Sequence, residues 1–123
     1  MDPVDCKSVL IVEDDDLTRD ALSIMLQEDG YQVLCAENGQ AALEQLQRTR
    51  PPGLILLDMM MPVMTGWEFL TQRKQDPRLA AIPVVICSGT GDAARQAASL
   101  GAAGYLKKPI EFQVLLATIR RYC

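Results

Sequence analysis

Three carboxylates, a hydroxyl and an ammonium share one feature: each sits at or just beyond the end of an apolar run. Glu13 and Asp14 follow Ser8-Val9-Leu10-Ile11-Val12, and Asp58 follows Leu54-Ile55-Leu56-Leu57. Ser88 follows Ile82-Pro83-Val84-Val85-Ile86-Cys87, and Lys108 follows the segment Gly104 to Lys107. Clustered carboxylates repel, and a dry cleft raises their pKa values unless a cation offsets them. Oxygen-only ligands, with no imidazole or thiolate, select Mg²⁺, with Mn²⁺ as the alternative. A carboxylate held beside such an ion can act as a nucleophile toward phosphorus. Asp58 is the candidate for that role. Lys108 and Ser88 would then meet two phosphoryl oxygens, and the ion would bridge a third to Glu13 and Asp14.

Taken singly, each residue also has a plain structural reading. The acidic run Glu13 to Asp16 fits a solvated turn or a helix cap, and Asp58 fits a turn cap. Ser88 with Gly89 fits a turn, Lys108 a surface lysine like its neighbour Lys107, and Tyr105 a strand-core aromatic. Met59-Met60-Met61 fits loop packing, and no side-chain chemistry is assigned to it. The site reading rests on the residues together.

The elements between these residues determine whether they meet. Uninterrupted aliphatic runs such as Leu54 to Leu57 read as strands covered on both faces. Ser8 to Val12, Tyr31 to Ala36, Leu54 to Leu57, Ile82 to Cys87 and Gly104 to Lys107 are the five expected strands. Helical periodicity alternates with them. Leu17, Ala21, Leu22, Met25 and Leu26 mark a first helix with Asp16 as N-cap and Gly30 after its end. Ala41, Ala42, Leu43 and Leu46 mark a second, from Gln40 to Arg48, entered through the turn Glu37-Asn38-Gly39. A third runs from about Trp67 to Gln75 with Phe69 and Leu70 inward, ended by Asp76-Pro77. A fourth, Ala93 to Leu100, has Asp92 as cap and Gly101 after it. A fifth, Glu111 to Arg121, buries Phe112, Leu115, Leu116 and Ile119.

Strands alternating with helices imply a doubly wound α/β fold: a five-stranded parallel sheet with right-handed crossovers and helices on both faces. All strand C-termini then lie along one edge, which brings Glu13, Asp14, Asp58, Ser88 and Lys108 into one cleft. The 123 residues suit a single domain, 1–123, with no linker or second domain, and the chain is expected to fold alone.

Composition excludes several function classes. Histidine is absent, so the chain has no Ser-His-Asp triad, Cys-His pair, HExxH zinc site or phosphohistidine of its own. Its four cysteines, Cys6, Cys35, Cys87 and Cys123, form no CxxC pair. Cys35 and Cys87, inside apolar segments, are expected to be buried and inert. A net charge of −4 argues against direct nucleic-acid binding. No stretch approaches the roughly 18 apolar residues of a membrane span, and the N-terminus lacks signal-peptide features, so a cytoplasmic location is expected.

Glu13-Asp14, Asp58 with Met59-Met60-Met61-Pro62, Ser88, Tyr105 and Lys108-Pro109 together resemble the receiver domain of two-component response regulators. The resemblance covers essentially the whole chain. It implies a flavodoxin-like sheet in the order 2-1-3-4-5, an order the chemotaxis receivers exemplify. It implies that Asp58 accepts a phosphoryl group from a histidine kinase or histidine phosphotransfer protein. Mg²⁺ would be held by Glu13, Asp14, Asp58 and the Met60 backbone carbonyl, and Lys108-Pro109 would be cis. Ser88 and Tyr105 would form the switch pair, and helix four, strand five and helix five (the α4-β5-α5 face) would carry the output to a further protein. The protein is expected to be a monomer or a weak, phosphorylation-dependent dimer, with Thr90 and Met60 near the path of hydrolytic water.

Two rivals remain. An aspartate-nucleophile phosphatase of the haloacid dehalogenase type needs a second Asp two residues after the nucleophile, where this chain has Met60. A pseudo-receiver would share the fold and bind protein without being phosphorylated.

Overall fold

The computed structural model describes residues 5–61, 63–89 and 92–122. Pro62, Thr90, Gly91 and Cys123 lie outside the described residues, as do the expectations attached to them. Five strands form one sheet: β1 (Asp5–Val12), β2 (Gln32–Ala36), β3 (Pro52–Asp58), β4 (Val84–Ser88) and β5 (Gly104–Lys107). Their order is β2-β1-β3-β4-β5 and every pairing is parallel. The helices are α1 (Asp16–Glu28), α2 (Gly39–Arg48), α3 (Gly66–Arg73), α4 (Ala93–Leu100) and α5 (Phe112–Tyr122). One further helical turn, Pro77–Ala80, joins α3 to β4.

Alternation along the strands divides the core into two layers. Leu10, Val12, Ile55, Leu57, Val84 and Ile86 pack with Ala42, Leu46, Phe69 and Ala97 of α2, α3 and α4. Val9, Ile11, Leu54, Leu56, Val85 and Cys87 pack on the other face with Leu22, Leu26, Leu115, Leu116 and Ile119 of α1 and α5. Every residue of β3 is buried. Full burial of each of its leucines and Ile55 contributes about 1.5–3 kcal/mol, so the strand carrying Asp58 is the sheet's best-anchored element. Among the described residues, no helix is long and apolar enough to cross a membrane.

Several local expectations are corrected. The α1 cap is Asp15, not Asp16: its carboxylate accepts from the Thr18 N–H at 2.9 Å and the Thr18 hydroxyl at 2.6 Å. Leu17 is 82% exposed and Ala21 is exposed as well, because both lie well around the helix from the buried Leu22 and Leu26. Cys35 is also exposed: β2 is an edge strand, with β1 its one partner strand among the described residues. Asp92 precedes α4 without making a side-chain cap bond. The segment after Asp76 does not simply stop a helix: Asp76 accepts from the Arg78 N–H at 3.0 Å and caps the added turn. Gly30 (φ 91°) and Gly101 (φ 70°) follow α1 and α4 as expected, in left-handed backbone conformations that favour glycine.

Candidate functional site

Strand register assembles the cleft. Val12 is level with Leu57 in the β1–β3 pairing, so Glu13 and Asp58 leave the sheet side by side. Asp58 pairs with Cys87, and Ser88 with Lys107, which brings Ser88 and Lys108 to the same edge. The Lys108 N–H donates to the Ser88 carbonyl at 2.8 Å, fastening the loop after β5 to the end of β4. The Lys108-Pro109 bond is cis.

Glu13, Asp14 and Asp58 each offer a carboxylate oxygen, and these oxygens all lie within 4.8 Å of one another. Glu13 and Asp58 are nearly closed off, at 3% and 6% exposure, whereas Asp14 is open to solvent. Lys108 Nζ donates to Glu13 Oε1 at 2.7 Å and lies 3.6 Å from Asp58 Oδ1. Glu13 Oε2 accepts from the Asp15 N–H, and Asp58 Oδ1 from the Met60 N–H, both at 3.2 Å. Burial, followed by a hydrogen bond with Glu13, pushes the Asp58 carboxyl up to about 7; the Met60 N–H and the Lys108 charge act in the opposite direction. Burial also pushes the Cys87 thiol up to about 12, consistent with an inert thiol behind the cleft.

The cleft has the donor chemistry of a hard-cation site: three carboxylates converge, two of them shielded, with no nitrogen or sulfur ligand among them. Ser88 is buried at the end of β4, beside Gly89, where even an added Cβ would meet nothing within 4 Å. Tyr105 is not core: its residue is 48% exposed on β5. The Met60 side chain is exposed, away from the packed core. Lys108 also borders an apolar groove of about 430 Å³ lined by Thr18, Ala21, Leu22, Met25, Pro109 and Ile110.

Two contributors are not evident from sequence pattern. Asp15 both caps α1 and donates its N–H to Glu13, and Arg19 Nη1 donates to the Glu13 carbonyl at 2.8 Å. The one signal for them is the i, i+3 spacing of Asp16 and Arg19, an ion pair in the structure.

Comparison with known proteins agrees with this geometry. The family model for the response regulator receiver domain matches residues 9–120. The chain is 35% identical over 113 residues to Protein PilH of Pseudomonas aeruginosa, covering 90% of this chain and 93% of PilH. It is 37% identical over 118 residues to the transcriptional regulatory protein CrdR of Helicobacter pylori, covering 94% of this chain but only 54% of CrdR. It therefore spans about half the length of that regulator. The crystal structure of chemotaxis protein CheY4 of Vibrio cholerae superposes with a TM-score of 0.86 at 31% identity, covering 98% of this chain and 100% of CheY4. With its 2-1-3-4-5 sheet and acidic strand edge, the chain belongs to the response regulator receiver domains, the signalling modules of two-component systems.

Proposed function

We propose that this receiver accepts a phosphoryl group on Asp58 from a phosphohistidine of a histidine kinase or histidine phosphotransfer protein in the cytoplasm. The observation that carries the reading is the position of Asp58: a shielded carboxylate among two further carboxylates, with the Lys108 ammonium 3.6 Å away. A carboxylate oxygen of Asp58 attacks phosphorus, the P–N bond breaks, and the imidazole leaves with the electron pair and takes a proton from water. Lys108 turns from Glu13 to one phosphoryl oxygen, and the Ser88 hydroxyl donates to another.

Glu13, Asp14, Asp58 and the Met60 backbone carbonyl are the groups that would hold Mg²⁺, or Mn²⁺ in its place. The bound ion supplies charge neutralisation for the carboxylates and for the incoming phosphoryl group. The apolar groove beside Lys108 gives the donor protein a place to rest against α1. Ser88 and Tyr105 act as the switch pair, and the α4-β5-α5 face carries the change to a downstream protein. Residues 1–123 act as one receiver unit, without direct nucleic-acid contact, as a monomer or a weak dimer formed on phosphorylation.

Incubation with Mg²⁺ and acetyl phosphate, read by intact mass, tests the reading. A gain of ~80 Da that is lost in Asp58→Asn is expected. No gain in the wild-type protein would identify a pseudo-receiver instead.

A further inference from the structure

Besides its hydrogen bond with Asp58, Glu13 is held at four points. Its N–H donates to the Ala36 carbonyl at 3.0 Å and its carbonyl accepts from Arg19 Nη1 at 2.8 Å. Oε1 accepts from Lys108 at 2.7 Å and Oε2 from the Asp15 N–H at 3.2 Å. A cation entering among the carboxylates competes with the two side-chain bonds, because it uses the same oxygen lone pairs. The two backbone bonds use no carboxylate oxygen. Of these, the bond to Ala36 is peptide to peptide and continues the β1–β2 pairing. The bond from Arg19 is the one a side chain supplies.

Arg19 lies in the first turn of α1 and reaches back six residues to the end of β1. Its other terminal nitrogen, Nη2, pairs with the Asp16 carboxylate, and its side chain is only 17% exposed. A guanidinium makes its bonds in one fixed plane, so this single group ties the peptide after β1 to the opening of α1. The loop Glu13-Asp14-Asp15 is thereby closed across its base.

We propose that Arg19 is a positioning residue for the cation site, holding the Glu13 backbone so that its carboxylate stays aimed into the cleft whether or not a cation is bound. The inference rests on the Mg²⁺ reading above. Two effects of Arg19 have opposite signs. Its positive charge alone disfavours a nearby cation, whereas its hold on Glu13 favours one. Because the guanidinium is already matched by Asp16 and the Glu13 carbonyl, its field at the cleft is largely spent locally. Positioning therefore sets the net sign.

Mg²⁺ titration of the full chain, followed by backbone amide NMR shifts, tests this with wild type, Arg19→Ala and Arg19→Lys. The spectrum without Mg²⁺ reports folding independently of affinity. Folded Arg19→Ala is expected to bind Mg²⁺ about tenfold more weakly, the lower end of the effect of losing an outer-shell partner. Arg19→Lys keeps the charge but not the planar fork, and is expected to bind severalfold more weakly than wild type. If Arg19→Ala does not fold, Arg19→Lys decides. Wild-type or tighter affinity in the folded variants would overturn the inference, leaving Arg19 an ordinary helix ion pair. A wild-type protein that takes up no Mg²⁺ would instead remove the cofactor reading, and this inference with it.

Discussion

Lys108 Nζ donates to Glu13 Oε1 at 2.7 Å across 95 positions of sequence. Burial pulls the Lys108 ammonium down, but the bond to Glu13 and the charges of Asp58 and Glu13 outweigh it and hold the group above its ordinary value. The lysine is therefore a resident cation in the acidic cleft. Removing it leaves Glu13, at 3% exposure, without its charged donor. Lys108→Ala is expected to lose roughly 1–3 kcal/mol, the scale for leaving a buried group unpaired. Urea unfolding in Mg²⁺-free buffer measures this, and part of the loss is expected to return when Mg²⁺ is added. An unchanged urea midpoint without Mg²⁺ would contradict this account of the cleft.

Asp58 gives a pH dependence of definite sign. Burial raises its carboxyl from 3.8 to about 7 in the fold. Between those values the native state retains a proton that the unfolded chain has released, so this group's contribution to stability falls as pH rises and levels off above about 7. Asp58→Asn removes the contribution. In metal-free buffer at pH 8 the variant is expected to melt above wild type, with the gap closing toward pH 4. For a domain of this size each kcal/mol corresponds to about 3–5 °C. Mg²⁺ should raise the melting temperature of wild type more than that of the variant. Thermal melts across this pH range that show Asp58→Asn equal to or below wild type at pH 8 would count against the buried-carboxylate picture.

The loop after Asp58 depends on a close approach at Gly66. A Cβ there would lie 2.7 Å from Met59 Cα, against backbone that cannot yield cheaply, and the Gly66 N–H donates to the Met59 carbonyl at 3.1 Å. At Gly39 the nearest atoms belong to the Met64 side chain, 2.9 Å away, and a side chain yields more readily than backbone. Gly66→Ala is expected to cost about 1–3 kcal/mol, as overpacking does, and to weaken Mg²⁺ binding by shifting Met59 and Met60. Gly39→Ala is expected to cost less. Equal costs for the two in denaturant unfolding would show that the Met59 contact is looser than the backbone geometry implies.

Much of the fold and the cleft is legible in the sequence, for identifiable reasons. Runs such as Leu54 to Leu57 announce a strand covered on both faces, and the residue after such a run must emerge at the sheet edge. Asp58, Glu13, Ser88 and Lys108 are therefore placed by sequence pattern alone. Strand order is not in the periodicity; it comes from the family resemblance and is observed. Pattern fails where one residue of phase or one neighbouring strand decides. The helix phase set by Leu22 and Leu26 leaves Leu17 facing solvent, and Cys35 lies exposed on the edge strand β2. The hold of Arg19 on Glu13 and the role of the buried Arg73 are hidden from pattern because the groups they bind are backbone carbonyls: Glu13 for Arg19, and Ala80 and Ile82 for Arg73. Such partners leave no residue-type signal.

The central claim is that Asp58, and not one of the carboxylates beside it, takes the phosphoryl group. Borohydride reduces an acyl phosphate to the alcohol, so treating the Mg²⁺ and acetyl phosphate reaction product and mapping peptides by mass identifies the acceptor directly. Homoserine at position 58, with Glu13 and Asp14 unaltered, is the predicted result. Reduction at Glu13 or Asp14, or at no carboxylate in protein that has gained the phosphoryl mass, would contradict it.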